Sequence, residues 1–468
     1  MEILCDEPVS PTGAYFTSSV ISVSVIAVLE TEFPIDDSQA MGLLNDVFIP
    51  INPRFSSVMV KDKKGVKHWK RVEVRLEDHI NIPIFEEGKS PEYYQECFTQ
   101  YLSKIALEQF PQSRPLWEIH IFKYPTSNSG GNLIFKLHHS LGDGFSLMGA
   151  LLSCLQRADD PSVPLTFPAL NRIKEVKTTP GFFGNLSTIC YGMVNTLTDF
   201  GWSLLKSTFV EDDRSPIRSG ADGVEFRPIT ITTLSFLLNQ IKLLKSYLNV
   251  TINDVICGVI FMGIRMYMQE MSHDSRNAES TALVLLNTRN ISGYKSVPQM
   301  VEPDAESPWG NQFAFLHVPV PELTGEDSSN PFSFVFKARD AIRSKRSSSA
   351  VILTGKLLDT MRKCRGPETT AAYIHSTLKN TSMTVSNLVG PVEQMALANQ
   401  PIKGLYFMVT GVPQSLTITM MSYMGTLRVA VGTEDGHIQS HKFKSCVQKA
   451  FDIIFKETVT SDPVKSTA

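Results

Sequence analysis

The residues best suited to chemistry are two adjacent histidines in His138-His139-Ser140-Leu141-Gly142-Asp143-Gly144. An imidazole is the usual general base near neutral pH, because its reference pKa is about 6.5. A histidine so placed could take the proton from an alcohol, thiol or amine as that group attacks an acyl carbon. Asp143, four residues past His139, could orient the imidazole or pin the loop by pairing with an arginine. Gly142 and Gly144 permit a tight turn. The plain alternative is a pair of exposed or hydrogen-bonded histidines beside a glycine turn. The chain has no Gly-x-Ser-x-Gly elbow, and none of its seven cysteines sits in a motif-like setting, so a covalent acyl-enzyme is not suggested. Direct transfer in a ternary complex is the simpler chemistry.

Two elements must position these histidines. The apolar run Leu133–Leu137, bounded by Gly130-Gly131, reads as a buried strand. The run after the motif, with Leu147, Leu151, Leu152 and Leu155 at helical spacing, reads as a helix. Strand side chains alternate between faces, so only one histidine of the pair can point into a given site.

The chain's 468 residues suggest two domains, and its 42% apolar content is ample for large cores. A net charge of −3 with no long basic block argues against nucleic acid as a partner. The cysteines are scattered, odd in number and never spaced Cys-x-x-Cys, which points to a reducing compartment without a disulfide framework or a zinc site. The run Val20–Leu29 is broken by serines and reads as a strand, not a signal peptide.

Strands and helices then alternate in both halves, which predicts a mixed α/β protein with sheets covered by helices and the site between two domains. Residues 1–160 form the first domain in this reading, 161–223 a connector and 224–468 the second domain. Within the connector, 182–205 has apolar residues on a helical stripe. Thr178 to Thr198 carries no charge, yet Asn185, Ser187, Thr188, Asn195 and Thr196 dilute it. An amphipathic helix lying on a membrane surface or a domain face fits better than a spanning one. In the second half, a helix is expected over 253–271 with Asn253 capping its start, and a helix over 235–248.

His138-His139 with Asp143-Gly144 resembles the signature of the CoA-dependent acyltransferase superfamily. Further residues narrow the likeness: Pro115-Leu116-Trp117 before it, Asn253-Asp254-Val255 after it, and Ser386-Asn387-Leu388-Val389-Gly390-Pro391 late in the chain. In that order, over nearly the whole chain, they resemble the wax ester synthase/diacylglycerol acyltransferase family. Glu7-Pro8-Val9-Ser10-Pro11-Thr12-Gly13 is similar to the start of its plant branch. The resemblance implies a two-domain fold with an active-site tunnel between mixed sheets. It implies transfer of a long-chain acyl group from acyl-CoA to a long-chain alcohol or to diacylglycerol, with acyl-CoA as a substrate and neither cofactor nor metal. His139 would be the base, supported by His138, Asp143 and Gly144, with Asp143 a structural brace. Arg289 is a candidate partner for Asp143 from its position. Trp117 would pack. Asn253, Asp254, Ser386 and Asn387 would serve substrate, oxyanion or local structure. The family also implies a membrane surface, at the cytosolic face of the endoplasmic reticulum or else at the plasma membrane. Two other readings stay open: a soluble alcohol acyltransferase or condensation-type enzyme of the same superfamily, and a non-catalytic acyl-lipid-binding protein.

Overall fold

The computed structural model describes residues 7–9, 11–18, 21–63, 65–163, 165, 198–287, 300, 309–311, 313–325, 327, 330–347 and 350–461. In chain order its strands are β1 Ser24–Thr31, β2 Ser57–Lys61, β3 Lys67–Arg71, β4 Ile80–Asn81, β5 Trp117–Phe122, β6 Gly131–His138, β7 Gln156–Arg157, β8 Ile229–Leu237, β9 Thr281–Asn287, β10 Phe313–Pro319, β11 Met383–Val389, β12 Met395–Leu397, β13 Gln400–Thr410, β14 Leu416–Tyr423 and β15 Thr426–Glu434. They form a seven-stranded sheet, β4-β5-β6-β1-β13-β12-β7, a six-stranded sheet, β10-β9-β11-β14-β15-β8, and the hairpin β2-β3. Both large sheets mix parallel and antiparallel neighbours, and helices cover them, as the alternation of elements predicts.

The chain crosses between the sheets. β12 and β13 lie within the stretch read from sequence as the second domain, yet β13 pairs along its length with β1 in the first sheet. Glu30 of β1 also reaches Arg428 of β15, with a 2.6 Å ion pair. Two stretches differ from the sequence reading. The start of the predicted 235–248 helix is instead the end of β8, and the helix runs Leu238–Leu248. The cap of the next helix, Ile252–Met271, is Thr251 rather than Asn253. Thr251 and Asp254 form a capping box in which each side chain accepts from the other residue's backbone N–H, at 3.1 and 2.9 Å. Most of the 182–205 amphipathic segment lies outside the described residues; its end belongs to a helix over 198–208.

The first sheet decides where the histidines point. Along β6, Leu133, Phe135 and Leu137 enter a core shared with Phe48, Phe55 and Trp117, while Ile134 enters the core beneath helix Pro91–Leu107. His138 pairs with Ser24, and the His139 amide donates to the Val23 carbonyl at 2.9 Å, extending the ladder one residue. Alternation therefore sends the two imidazoles to opposite faces.

Candidate active site

His139 sits among aromatic rings, with Phe16 at 4.6 Å and Phe313 at 5.6 Å between centroids. Its Nδ1 lies 2.8 Å from Asn311 Oδ1, and Asn311 Nδ2 donates to the His139 carbonyl at 3.0 Å. The amide is thus oriented by its own donation, and its oxygen can only accept. Nδ1 must carry the proton, which leaves the Nε2 lone pair available to a substrate hydroxyl. Burial pushes the imidazole below its ordinary pKa, while nearby Asp143 and the Asn311 bond act against that shift. The ring is therefore neutral and basic at neutral pH.

His138 is set the other way round. The backbone N–H of Ser140 donates to its Nδ1 at 3.1 Å, so Nε2 carries the proton and donates to Ser22 Oγ at 3.2 Å. Full burial, with His139 and two lysines contributing, pushes its pKa down to about 3. His138 is a neutral brace between β6 and the residues before β1.

Asp143 caps helix Gly144–Ser153, its carboxylate accepting from the Ser146 N–H at 3.0 Å. The motif loop is then laced to Trp309-Gly310-Asn311, just before β10. The Asp143 N–H donates to the Gly310 carbonyl at 3.3 Å, and the Trp309 indole N–H donates to the Leu141 carbonyl at 2.9 Å. Ser146 Oγ donates to the Gly310 carbonyl at 3.0 Å and accepts from its N–H at 3.1 Å. This packing leaves little room for a side chain at either glycine of the loop. A Cβ on Gly142 would stand 2.9 Å from Ser146 Cβ, and one on Gly144 would stand 3.0 Å from Leu388 Cδ1. Arg289 lies outside the described residues.

That Leu388 contact brings the end of β11, and with it Ser386 and Asn387, beside the motif loop. Asn387 Nδ2 donates to Asn253 Oδ1 at 3.3 Å, so two amides named from separate sequence motifs meet. Asp254 is occupied by its capping box and by Arg343 at 3.7 Å. Trp117 packs: it is buried, its indole N–H donates to the Phe55 carbonyl at 2.8 Å, and it stacks on His79 at 4.1 Å. Asn311 and Trp309 were not singled out from sequence. The only local signal is a glycine between two polar-capable residues before a strand, which marks a turn and not a site.

An unprotonated imidazole nitrogen in an apolar setting, held by a polarised amide, can accept a proton from a nucleophilic hydroxyl and return it to a leaving group. Residues 309–455, which include Asn311, Ser386 and Asn387, match the model described as the WS/DGAT C-terminal domain. Two Arabidopsis thaliana proteins named wax ester synthase/diacylglycerol acyltransferase are similar over almost the full chain. Number 4 is 28% identical, with 91% of this chain and 85% of the relative covered; number 7 is 27% identical, with 94% and 95% covered. Among solved structures, the wax ester synthase/diacylglycerol acyltransferase from Marinobacter aquaeolei VT8 superposes with a TM-score of 0.60 at 14% identity, covering 96% of this chain and 99% of that one. The starter condensation domain of rhizomide synthetase shares the fold with a TM-score of 0.54 at 9% identity, covering 97% and 94%. Residues 309–455 thus match the WS/DGAT C-terminal domain, and the chain as a whole is similar to proteins named wax ester synthase/diacylglycerol acyltransferase and shares the fold of one of them.

Proposed function

We propose that the protein is an acyl-CoA-dependent O-acyltransferase that esterifies long-chain alcohols to wax esters and diacylglycerol to triacylglycerol. The observation that carries this reading is the Asn311 clamp, which fixes His139 with Nδ1 protonated and Nε2 basic. In the reaction, Nε2 takes the hydroxyl proton as the alcohol oxygen attacks the thioester carbonyl. In this reading Asn253, Ser386 and Asn387 are the candidate amide and hydroxyl donors to the resulting oxyanion. Collapse breaks the C–S bond, and the CoA thiolate takes the proton back from His139, leaving ester and free CoA. A thiol is far more acidic than an alcohol, with a pKa of about 8.5, so the thiolate leaves readily. His138, Asp143 and Gly144 support the base, and the reaction takes acyl-CoA as a substrate, without a resident cofactor.

The test uses yeast-expressed, purified protein with labelled palmitoyl-CoA and either hexadecanol or diacylglycerol. Ester should form with at least one acceptor and fall to background in His139→Ala. No ester above that control from either acceptor overturns the reading.

We place the enzyme at a membrane surface, the cytosolic face of the endoplasmic reticulum, because its acceptors dissolve in bilayers. The helix over 198–208 supports this. Its Lys206 is fully buried against Asp212 at 2.6 Å and Glu279 at 3.1 Å, whereas Trp202, Leu205 and Phe209 are 42%, 48% and 79% exposed. A helix or its end that faces polar groups inward and large apolar groups outward suits the headgroup region. Among the described residues no single helix is long and apolar enough to cross a membrane; Leu238–Leu248 and Ile252–Met271 reach that length only together, across a 100° bend, and the second packs in the core of the second half. Flotation with liposomes should weaken in a Trp202→Glu, Phe209→Glu variant, and a protein that never floats refutes this placement.

A further inference from the structure

An apolar cleft lies beneath helix Ala40–Ile51 on one face of the first sheet. Its floor is Ile119 and Ile121 of β5 with Leu133 and Phe135 of β6, and Leu44 and Phe48 roof it. The two elements that bound it converge on the candidate base. β6 runs from the floor straight into His138-His139, and the helix Gly144–Ser153 leads from the motif to Cys154, which lines the cavity. Burial pushes that Cys154 thiol up to about 12, in keeping with surroundings that do not solvate charge. Leu133, Phe135, Leu137 and His139 fall on one face by alternation, so only Leu137 separates the cavity floor from the imidazole along the strand.

We infer that this cavity takes the distal part of a linear hydrocarbon tail whose reacting end lies at His139, and that it sets the preferred chain length. This rests on the acyl-transfer reading above and adds the place where a tail is measured. At about 3.3 Å per residue, Phe135 is about 13 Å and Leu133 about 20 Å from His139 along the strand. An extended alkyl chain advances about 1.25 Å per carbon, from the C–C bond length projected on its axis, so about sixteen carbons reach Leu133. Asp36, Asp37 and Gln400 rim the cavity. A tail that outgrows the apolar floor must pass these polar groups, which imposes an upper limit as well as a preference.

The tail could belong to the acyl donor or to the alcohol, and two substrate series separate them. One varies acyl-CoA from about ten to about twenty carbons with a fixed alcohol; the other varies the alcohol with a fixed acyl-CoA. Leu133→Phe, which fills the end far from His139, should lower kcat/KM for sixteen carbons relative to twelve by about tenfold or more. It should spare the shorter substrates. Leu44→Ala, which enlarges the roof, should move the optimum to longer chains. A shift in the acyl series assigns the cavity to the donor, and one in the alcohol series assigns it to the acceptor. Unchanged profiles in both series, or an equal loss at every length, overturn the inference. If Leu133→Phe does not fold, the opposite shift in Leu44→Ala decides alone. Wild-type protein that makes no ester defeats the acyl-transfer reading itself, whereas ester with unshifted profiles defeats only the cavity.

Discussion

At His139 the proton position follows from a single side chain, because the Asn311 amide oxygen accepts at Nδ1 while its nitrogen is committed to the His139 carbonyl. Asn311→Ala should therefore leave the ring free to take the wrong tautomer, and kcat should fall about 10- to 100-fold, the worth of roughly 1.5–3 kcal/mol for a hydrogen bond to a group that becomes charged. The pH profile distinguishes this role from general packing. The base works unprotonated, so activity falls as pH drops through the His139 pKa, which burial holds below its ordinary value. The Asn311 bond raises that pKa, so its loss should move the acid limb to lower pH. Asn311→Asp puts a carboxylate at Nδ1 and should move the limb to higher pH. An acid limb unmoved in both variants would detach Asn311 from the ionisation of His139. The motif residues were legible from sequence because they are contiguous, and strand alternation said that only one histidine could serve. Asn311 was not legible: it stands 172 residues from His139, and neither spacing nor periodicity carries a contact over that distance.

Helix Ile252–Met271 is apolar on nearly every side and passes between two other helices, Phe332–Ser347 and Ser440–Ser461. Glycine makes that approach possible. A Cβ on Gly258 would stand 2.8 Å from Val335 Cα, and one on Gly263 would stand 2.7 Å from Val447 Cα. Two effects oppose each other in Gly263→Ala. Alanine is the better helix former by about 1 kcal/mol, but forcing a methyl group against a backbone atom costs about 1–3 kcal/mol. The contact is with backbone and not with the tip of a side chain, so overpacking should win, and the urea midpoint should fall. A raised midpoint would mean that the helices can separate at little cost. At this scale the sequence was a good guide wherever an element ended in a turn. It failed at β8, where Leu237 gives way to Leu238 with no glycine or proline between strand and helix. It also misassigned a cap, because Thr251, Asn253 and Asp254 can all bond a free N–H, and only the backbone angles choose among them.

The whole molecule is joined by the return of β12 and β13 to the first sheet, a feature invisible to hydropathy because β13 would look the same in either sheet. Its consequence is that the first half cannot complete its sheet without strands supplied by the second. Unfolding should therefore be one transition, and buried groups in both halves should load the same equilibrium. His138 belongs to the first half, with its pKa pushed down to about 3, and His317 to the second, pushed down to about 4, each chiefly by burial. In the unfolded chain both would titrate at about 6.5. Between about pH 6.5 and 4 the unfolded state binds protons that the folded state refuses, so stability falls as pH falls, by about 1.4 kcal/mol per unit for each histidine. Glu30 acts in the opposite sense, because burial raises its pKa even beside Arg428, and protonation in the folded state then relieves part of its cost. Two refusing histidines outweigh one carboxyl in that window. Urea midpoints followed by fluorescence and by circular dichroism at about pH 7.5, 6.5 and 5.5 should coincide with each other and fall together below 6.5. Replacing His317 with Asn should flatten the slope without splitting the transition. Two separate transitions, one for each sheet, would show that the β13 crossing does not couple the halves.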